Sequence, residues 1–407
     1  MNKTLNGTVN LPGSKSESNR ALMIAAYGGF QLDVENLSEA HDTELLKKLL
    51  ELIHAGGTTG EVVLDCEDAG TVARFLMTYL AGKPGAWKLT GSKRLCQRPM
   101  VPLIDALRQL GADITGDGLP LKIVGKPLKG GTIALDASLS SQFGSSLLMA
   151  APTWENGLEL TLTGDPVSMP YLEMTVKMMA HFGVHVAHEG NAFIVGRQPY
   201  QPRLFAVSAD WSAASYWYEM LALSKGGELL LKGLKPDSLQ GDAVVAEWFK
   251  PLGIRTFFTD GGVLITSDGA LPLVDKPFKF DVSNCPDLFP SILVSCVALH
   301  IESVFYGINT LFYKESDRVN SLISELSKYY TFINVIYNNE LIIKQSSLSD
   351  NSINGIKLSF NTYGDHRLAM ALSGLKLLFD EIAFDRYDIV NKSYPTFWDD
   401  VQNIVNS

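Results

Sequence analysis

Of the 407 residues, 46% are hydrophobic and 19% charged. That globular balance excludes disordered, collagen-like and coiled-coil chains, and at roughly 100 to 200 residues per domain the length predicts two domains or three. Acids outnumber bases 44 to 34, a formal net charge of −10 and the wrong sign for a general nucleic-acid binder, so an anionic small molecule finds a site here only where basic side chains converge.

Cys66, Cys96, Cys285 and Cys296 lie far apart with no CxxC pair, which argues against a zinc knuckle or a disulfide framework and fits a reducing compartment. The longest apolar stretch, Ser291 to Leu299, is ended by His300 and Glu302. It falls short of the roughly 20 residues of a membrane span and reads as a buried helix. Met1-Asn2-Lys3 runs almost at once into a polar motif, a start without a signal or transit peptide. A cytoplasmic chain with no membrane or nucleic-acid partner is expected.

In chain order, the first predicted element with chemical content is a helix opened by Leu11-Pro12-Gly13-Ser14-Lys15-Ser16-Glu17-Ser18-Asn19-Arg20 and continued by Ala21-Leu22-Met23-Ile24-Ala25-Ala26. A Gly-Ser-Lys-Ser turn before an apolar helix presents free backbone N–H groups, hydroxyls, an ammonium and, one turn on, a guanidinium, which makes an anion-binding helix start. It lacks the second glycine of a Walker A loop. An ordinary capped helix would need Ser14 or Ser16 but explains neither Lys15 nor Arg20. A second helix start, Asp68-Ala69-Gly70-Thr71-Val72-Ala73-Arg74, is commonplace on its own.

Arg94-Leu95-Cys96-Gln97-Arg98-Pro99 places two cations before a helix whose first position suits Pro99. Arg94 reads as a solvated basic turn, and Arg98 stays open between that and a ligand role. Ser140-Ser141-Gln142-Phe143 and Ser168-Met169-Pro170-Tyr171 supply hydroxyl and amide donors that, in isolation, read as helix caps.

Through these segments runs a repeat of helix, glycine, short strand, turn and second short strand. One copy is Leu103 to Leu110, Gly111, Ala112-Asp113-Ile114, a turn at Gly116-Asp117-Gly118, and Leu121 to Val124. The next is Met178 to Phe182, Gly183, Val184-His185-Val186, a turn at Glu189-Gly190-Asn191, and Ala192 to Val195. A third is Trp248 to Leu252, Gly253, a turn at Asp260-Gly261-Gly262, and Val263-Leu264-Ile265; a fourth, without its glycine, is Leu322 to Tyr330, Phe332 to Ile336, a turn at Asn338-Asn339, and Leu341-Ile342-Ile343. The glycines lie 72 and 70 residues apart (183 − 111 and 253 − 183), which predicts an α/β module of about 70 residues with a left-handed helix cap and a tight hairpin. Several modules should share a core, with helices inward and sheets outward or the reverse.

Toward the C-terminus stand Asp287 after Cys285-Pro286, Lys314-Glu315-Ser316-Asp317-Arg318 after an apolar strand-like stretch, Tyr363-Gly364-Asp365-His366-Arg367, and Asn391-Lys392-Ser393-Tyr394-Pro395. A lone charge run is normally a solvated helical face, but here no amphipathic stripe accompanies it. Lys15, Arg20, Arg98, Lys314, Arg318, Arg367 and Lys392 together are a concentration of cation that persists in a dry cleft only when an anionic ligand compensates it. Asp287 and Glu315 among them are candidate proton-transfer groups tuned by those cations.

The ordered set GSKSESNRALMIAA, DAGTVARFL, RPMVPLIDALRQLGADI, SSQFGSSLLMAAP, SMPYLEMT, ADWSAASYW, CPDLFPSI, KESDRV, TYGDHRLAM and KSYP, running from Leu11 to Trp398, resembles the 5-enolpyruvylshikimate-3-phosphate synthase family of enolpyruvyl transferases. The resemblance implies an α/β chain of two globular domains, each of three βαβαββ repeats in an inside-out α/β barrel. A central domain at 14–207 would carry the shikimate-3-phosphate side. A discontinuous terminal domain at 1–13 and 208–407 would carry much of the phosphoenolpyruvate side and the proton-transfer residues, with hinge crossings near Gly13 and Ser208 and closure on ligand.

By the same resemblance shikimate 3-phosphate would meet Lys15, Ser16, Arg20, Ser140, Ser141, Gln142, Ser168, Tyr171, Asp287 and Lys314. Phosphoenolpyruvate would meet Lys15, Gly70, Arg98, Gln142, Arg318, Arg367 and Lys392. The implied reaction, a step of aromatic amino acid and chorismate biosynthesis, adds the 5-hydroxyl to C2 of phosphoenolpyruvate and then expels phosphate from a tetrahedral intermediate. Asp287 is the candidate acceptor of the hydroxyl proton and Glu315 the candidate donor to the methylene, with Lys15 and Lys392 assisting. A monomer without metal or organic cofactor is expected.

Three positions depart from the family pattern: Asp68 where Asn is usual, Met169 where Lys is usual, and Phe312 where Arg is common. They bear on affinity more than on reaction type. The sister transferase acting on UDP-N-acetylglucosamine is the nearest rival, but Cys96 lies only two residues before Arg98 with no Gly-Gly-Cys loop, and the GSKSESNR start departs from the sister's Lys-Asn pattern. A non-catalytic anion-binding scaffold is the rival of a different class, against which the joint presence of Asp287, Glu315 and Lys392 argues.

Overall fold

Each hairpin of the repeat closes a four-stranded sheet, and all four sheets share one strand order. The computed structural model describes residues 3–55, 60–270, 276–348, 357–379 and 381–405. By its internal contacts the chain divides into two compact units, Lys15–Val207 and Met1–Ser14 with Ser208–Ser407. After β1 (Leu5–Asn10) the chain leaves the terminal unit beside the strand on which it returns: Gly13 bridges Ala209, and the Ser14 amide donates to Ser208 O at 2.8 Å.

In the central unit the helices are α1 (Lys15–Gly28), α2 (His41–Ala55), α3 (Gly70–Gly82), α4 (Lys93–Cys96), α5 (Val101–Gln109), α6 (Ser141–Ala150) and α7 (Met169–His181). One sheet joins β3 (Glu61–Asp65), β4 (Gly85–Thr90), β5 (Asp113–Thr115) and β6 (Leu121–Gly125) in the order β3-β4-β6-β5. The other joins β7 (Gly131–Asp136), β8 (Leu158–Thr163), β9 (Ala187–Glu189) and β10 (Ala192–Val195) as β7-β8-β10-β9. In both, a parallel pair is extended by an antiparallel hairpin. A third, reduced element pairs β2 (Val34–Glu35) with β11 (Phe205–Ala206) in parallel.

The terminal unit repeats the scheme. Its first sheet runs β1-β12-β14-β13, with β12 (Gly227–Lys232), β13 (Arg255–Thr259) and β14 (Gly262–Ser267). Its second runs β15-β16-β18-β17, with β15 (Phe278–Asp281), β16 (Ser303–Tyr306), β17 (Tyr330–Tyr337) and β18 (Glu340–Leu348). A parallel pair, β19 (Leu358–Phe360) with β20 (Ile382–Phe384), completes it. The helices are α8 (Trp211–Leu223), α9 (Val245–Trp248), α10 (Phe289–Ala298), α11 (Arg318–Leu326), α12 (His366–Ser373) and α13 (Phe397–Val405).

Helices lie inside and sheets outside, the alternative that the sequence leaves open. Every residue of α8, α10 and α12 is buried, as befits helices apolar on most faces, and these three pack on one another, as do α1, α3 and α6. The strands alternate buried and exposed along β6 and β8, with Val63 and Val124 left on the wet face. Gly111, Gly183 and Gly253 take the expected left-handed conformation at φ 91°, 85° and 86°, and Asn338 and Asn339 form the two-residue turn at φ 47° and 65°.

Four local expectations differ from the structure. The strand expected at Val184 to Val186 begins only at Ala187, because the Gln198 side chain takes both backbone groups of His185, at 2.9 Å each. The helix before Gly253 breaks into α9 and a short 3-10 turn, since Pro251 cannot continue an α-helix. Pro99 does not start a helix: α5 opens at Val101 with Pro102 in its first turn, and the Pro99 carbonyl accepts from Arg74 Nη2 at 3.3 Å instead. The residues before Lys314 form a 3-10 turn, Ile308–Tyr313, and not a strand.

Candidate active site

The motif residues of the central unit gather at the starts of α1, α3, α6 and α7. Arg20, one turn into α1 and 2% exposed, has each of its nitrogens fixed: Nε donates to Thr175 Oγ1 at 2.7 Å, Nη1 to Ser16 O at 2.9 Å, and Nη2 to Ser145 Oγ and Tyr171 O at 3.2 Å each. Burial draws its pKa down to about 10, so the cation persists at neutral pH. Arg74 Nη1 donates to Gln142 Oε1 at 2.6 Å, and Gln142 Nε2 donates to Thr71 Oγ1 at 2.9 Å. The amide thus ties the second motif to the fourth.

Gly70 lets two guanidiniums approach the start of α3: a Cβ there would lie 2.6 Å from Arg98 Nη1 and 3.0 Å from Arg74 Nη1, so one of them would have to shift. Arg98 is buried at 8% exposure, which decides against the solvated-turn reading. Lys15 Nζ reaches Asp42 Oδ2 at 3.3 Å, and the Ser140 hydroxyl caps α6 by accepting from the Gln142 amide at 3.2 Å. Ser168, left-handed at φ 56°, makes no cap bond with its side chain. Its hydroxyl is not spent on the helix.

In the terminal unit the cluster forms where α10, α11 and α12 begin. Arg318, 1% exposed, donates from Nε to Asp365 Oδ2, from Nη1 to Asp287 Oδ1 and from Nη2 to Glu315 Oε2, each at 2.8 Å. Arg367 Nη2 donates to Asp287 Oδ2 at 2.6 Å, while its Nη1 approaches the Tyr216 hydroxyl on α8 at 3.5 Å. Burial alone would raise the Asp287 carboxyl, but Arg367, Arg318 and Lys314 outweigh it and hold the group well below the usual carboxylate range. Burial, and then the charge of Asp287, push Asp242 up to about 7.

Two short segments complete this end. The Ser316 hydroxyl donates to Asp365 at 3.1 Å, and the buried Lys392 ends a 3-10 turn, Asp388–Lys392, that packs on α12. Among the described residues no group of three His, Cys, Asp or Glu is placed to hold a metal ion.

This geometry can be set beside known proteins. The EPSP synthase family, described as 3-phosphoshikimate 1-carboxyvinyltransferase, matches over residues 1–401. The chain belongs to that family. A 3-phosphoshikimate 1-carboxyvinyltransferase of Bacteroides fragilis is 38% identical over 98% of this chain and 95% of its own. One from Sulfurovum sp. is 33% identical over 98% and 97%. The solved EPSP synthase of Acinetobacter baumannii, 23% identical, superposes with a TM-score of 0.75 over 99% of this chain and 96% of its own. The two-domain enolpyruvyl transferase fold follows.

Seen as an EPSP synthase family site, the motif residues fall into two groups. Lys15, Ser16, Arg20, Gly70, Arg98, Ser140, Ser141, Gln142, Ser168 and Tyr171 belong to the central unit; Asp287, Lys314, Glu315, Arg318, Arg367 and Lys392 belong to the terminal one. Sequence reading passed over Arg74, Asp42, Asp365, Tyr216 and Asp242. Asp365 carried a signal, since an Asp directly before His366-Arg367 is a ready helix cap, and its Oδ1 accepts from the Arg367 amide at 3.0 Å. Asp42 carried none, lying 27 residues from Lys15. Asp68, the family's usual Asn, is exposed and accepts from the Ser92 hydroxyl.

Proposed function

We propose that the chain transfers the enolpyruvyl group of phosphoenolpyruvate to the 5-hydroxyl of shikimate 3-phosphate and releases phosphate, as a single-chain transferase of the shikimate pathway working in the cytoplasm. What supports this reading, beside family membership, is the pair of acids Asp287 and Glu315 held on one buried guanidinium, Arg318. No helix among the described residues is long and apolar enough to cross a membrane.

Shikimate 3-phosphate is assigned to Lys15, Ser16, Arg20, Ser140, Ser141, Gln142, Ser168, Tyr171, Asp287 and Lys314, and phosphoenolpyruvate to Lys15, Gly70, Arg98, Gln142, Arg318, Arg367 and Lys392. In the addition step the 5-hydroxyl oxygen bonds to C2 of phosphoenolpyruvate. Asp287 takes the hydroxyl proton and Glu315 gives one to the methylene carbon. In the elimination step the C2–O bond to phosphate breaks, a methyl proton returns to the site, and the enol ether is left. Lys15 and Lys392 neutralise charge on the departing phosphate.

A carboxylate held as low as Asp287 is a weak base. An anionic substrate that draws Arg367 and Arg318 toward its own oxygens weakens their hold on Asp287 and restores its proton affinity, so base strength arrives with the substrate. The test is phosphate release from phosphoenolpyruvate. Release expected with shikimate 3-phosphate and absent with UDP-N-acetylglucosamine supports the reading; the opposite pattern assigns the sister reaction, and release with neither makes the chain a binding protein.

A further inference from the structure

The central unit carries a groove of about 560 Å³ whose lining includes none of the residues assigned to the reaction. Its walls are the later turns of α1, α2 and α3 together with the Gly29 to Leu32 turn that follows α1. The volume lies within the roughly 300 to 1,000 Å³ of small-molecule sites, which join apolar walls to a few polar groups. Here the apolar walls come from Leu22, Ala26 and Leu50.

The rim is cationic on balance: Lys47 and Lys83 stand against Glu51. Lys83 Nζ also sits 6.0 Å from the centre of the Tyr79 ring. Tyr79, whose phenol is kept protonated by burial, shares a hydrogen bond with His54 Nε2 at 3.2 Å.

We propose that this groove binds an aryl carboxylic acid, with its ring against the apolar walls and its carboxylate on Lys47 and Lys83. Anionic charge matches the rim, and a flat ring matches the walls of Leu22, Ala26 and Leu50. The site is independent of the transferase reading, and its test does not depend on turnover.

The probe is 2-naphthoate, titrated calorimetrically into the full chain with shikimate 3-phosphate and inorganic phosphate present to occupy the substrate anion sites. A dissociation constant below about 1 mM is expected. The paired surface changes Lys47→Glu and Lys83→Glu should weaken it by about tenfold or more while leaving neutral 2-naphthol unaffected. Ala26→Trp should abolish binding of both and leave phosphate release within about twofold of the parent. Where Ala26→Trp fails to fold, the lysine pair decides alone. Absence of binding by the parent, or an unchanged affinity in the lysine pair, overturns the proposal.

Discussion

The two units hold their buried cations in opposite ways. In the central unit Arg20 and Arg74 are fixed by hydroxyls, a side-chain amide and backbone carbonyls. In the terminal unit Arg318 and Arg367 are fixed by carboxylates. Neutral anchors set a guanidinium's direction without pairing its charge, although the charge of Glu17 still acts on Arg20. Carboxylate anchors cancel the charge but surround Asp287 with cations, which holds it ionised and leaves its proton affinity to be set by whatever next claims those cations. On the proposed reaction both units grip the substrates, and the proton traffic of Asp287 and Glu315 belongs to the terminal one.

The largest effect separating the two should come from Asp287→Asn, which keeps the shape and a hydrogen-bond acceptor but removes the base. Turnover should fall about 10²- to 10⁴-fold, read as single-turnover phosphate release, with the shikimate-3-phosphate affinity much less changed. Gln142→Ala, in the central unit, should do the reverse and raise KM more than it lowers kcat. A comparable fall in kcat from both would erase the division.

Stability gives the next contrast. Arg318→Met strips the counter-charge from Asp287, Glu315 and Asp365 and should cost about 3–5 kcal/mol in urea unfolding, as breaking a buried ion pair does. Arg74→Met strips the donors from the Gln142 and Pro99 oxygens and should cost about 1–3 kcal/mol. Equal losses would mean that the carboxylates of the terminal unit find other partners. Smaller again, Arg98→Ala should weaken phosphoenolpyruvate binding by roughly tenfold to a hundredfold, since charge-assisted bonds contribute about 1.5–3 kcal/mol. It should do so without lowering the melting temperature.

How much of this was legible in the sequence follows the same divide. The hairpin modules were readable because period-2 strands, left-handed glycines and Asn-Asn turns are local signals, and four copies reinforced one another. Which way the helices faced was not, since α8 and α10 are apolar on nearly every side and periodicity cannot orient such a helix. At the site, Lys15, Arg98 and Arg367 were legible as members of a set of cations unusually concentrated for an acidic chain. Arg74 did not, because its role depends on Gln142, 68 residues away. Asp242 was invisible for the same reason: its pKa is set by burial and by Asp287, neither of which the run Gln240-Gly241-Asp242 announces.

The smallest expected effect concerns acids of the terminal unit whose burial outweighs any nearby cation. Glu219 on α8 is fully buried with no hydrogen-bond partner for either oxygen, and burial raises its carboxyl well above the ordinary 4.5. Below about pH 4.5 folded and unfolded chains both carry the proton. Above it the unfolded chain ionises first, so stability falls as pH rises, until the folded carboxyl also ionises. Asp242, raised to about 7, adds the same slope up to that pH. Asp287 acts in the opposite sense, its contribution being present above about 3.8 and lost only as pH drops further. The shifted buried groups of the central unit, Cys66, Tyr27, Tyr79 and Tyr200, start from 9 or 10 and move upward, so they stay protonated and contribute no slope between pH 5 and 8. Glu219→Gln should therefore match the parent near pH 4 and exceed it by at least about 1 kcal/mol at pH 8, with the residual slope belonging to Asp242 and Asp400. Unfolding curves at the two pH values check this, and a gain that is the same at both would place an ionised Glu219 beside a cation.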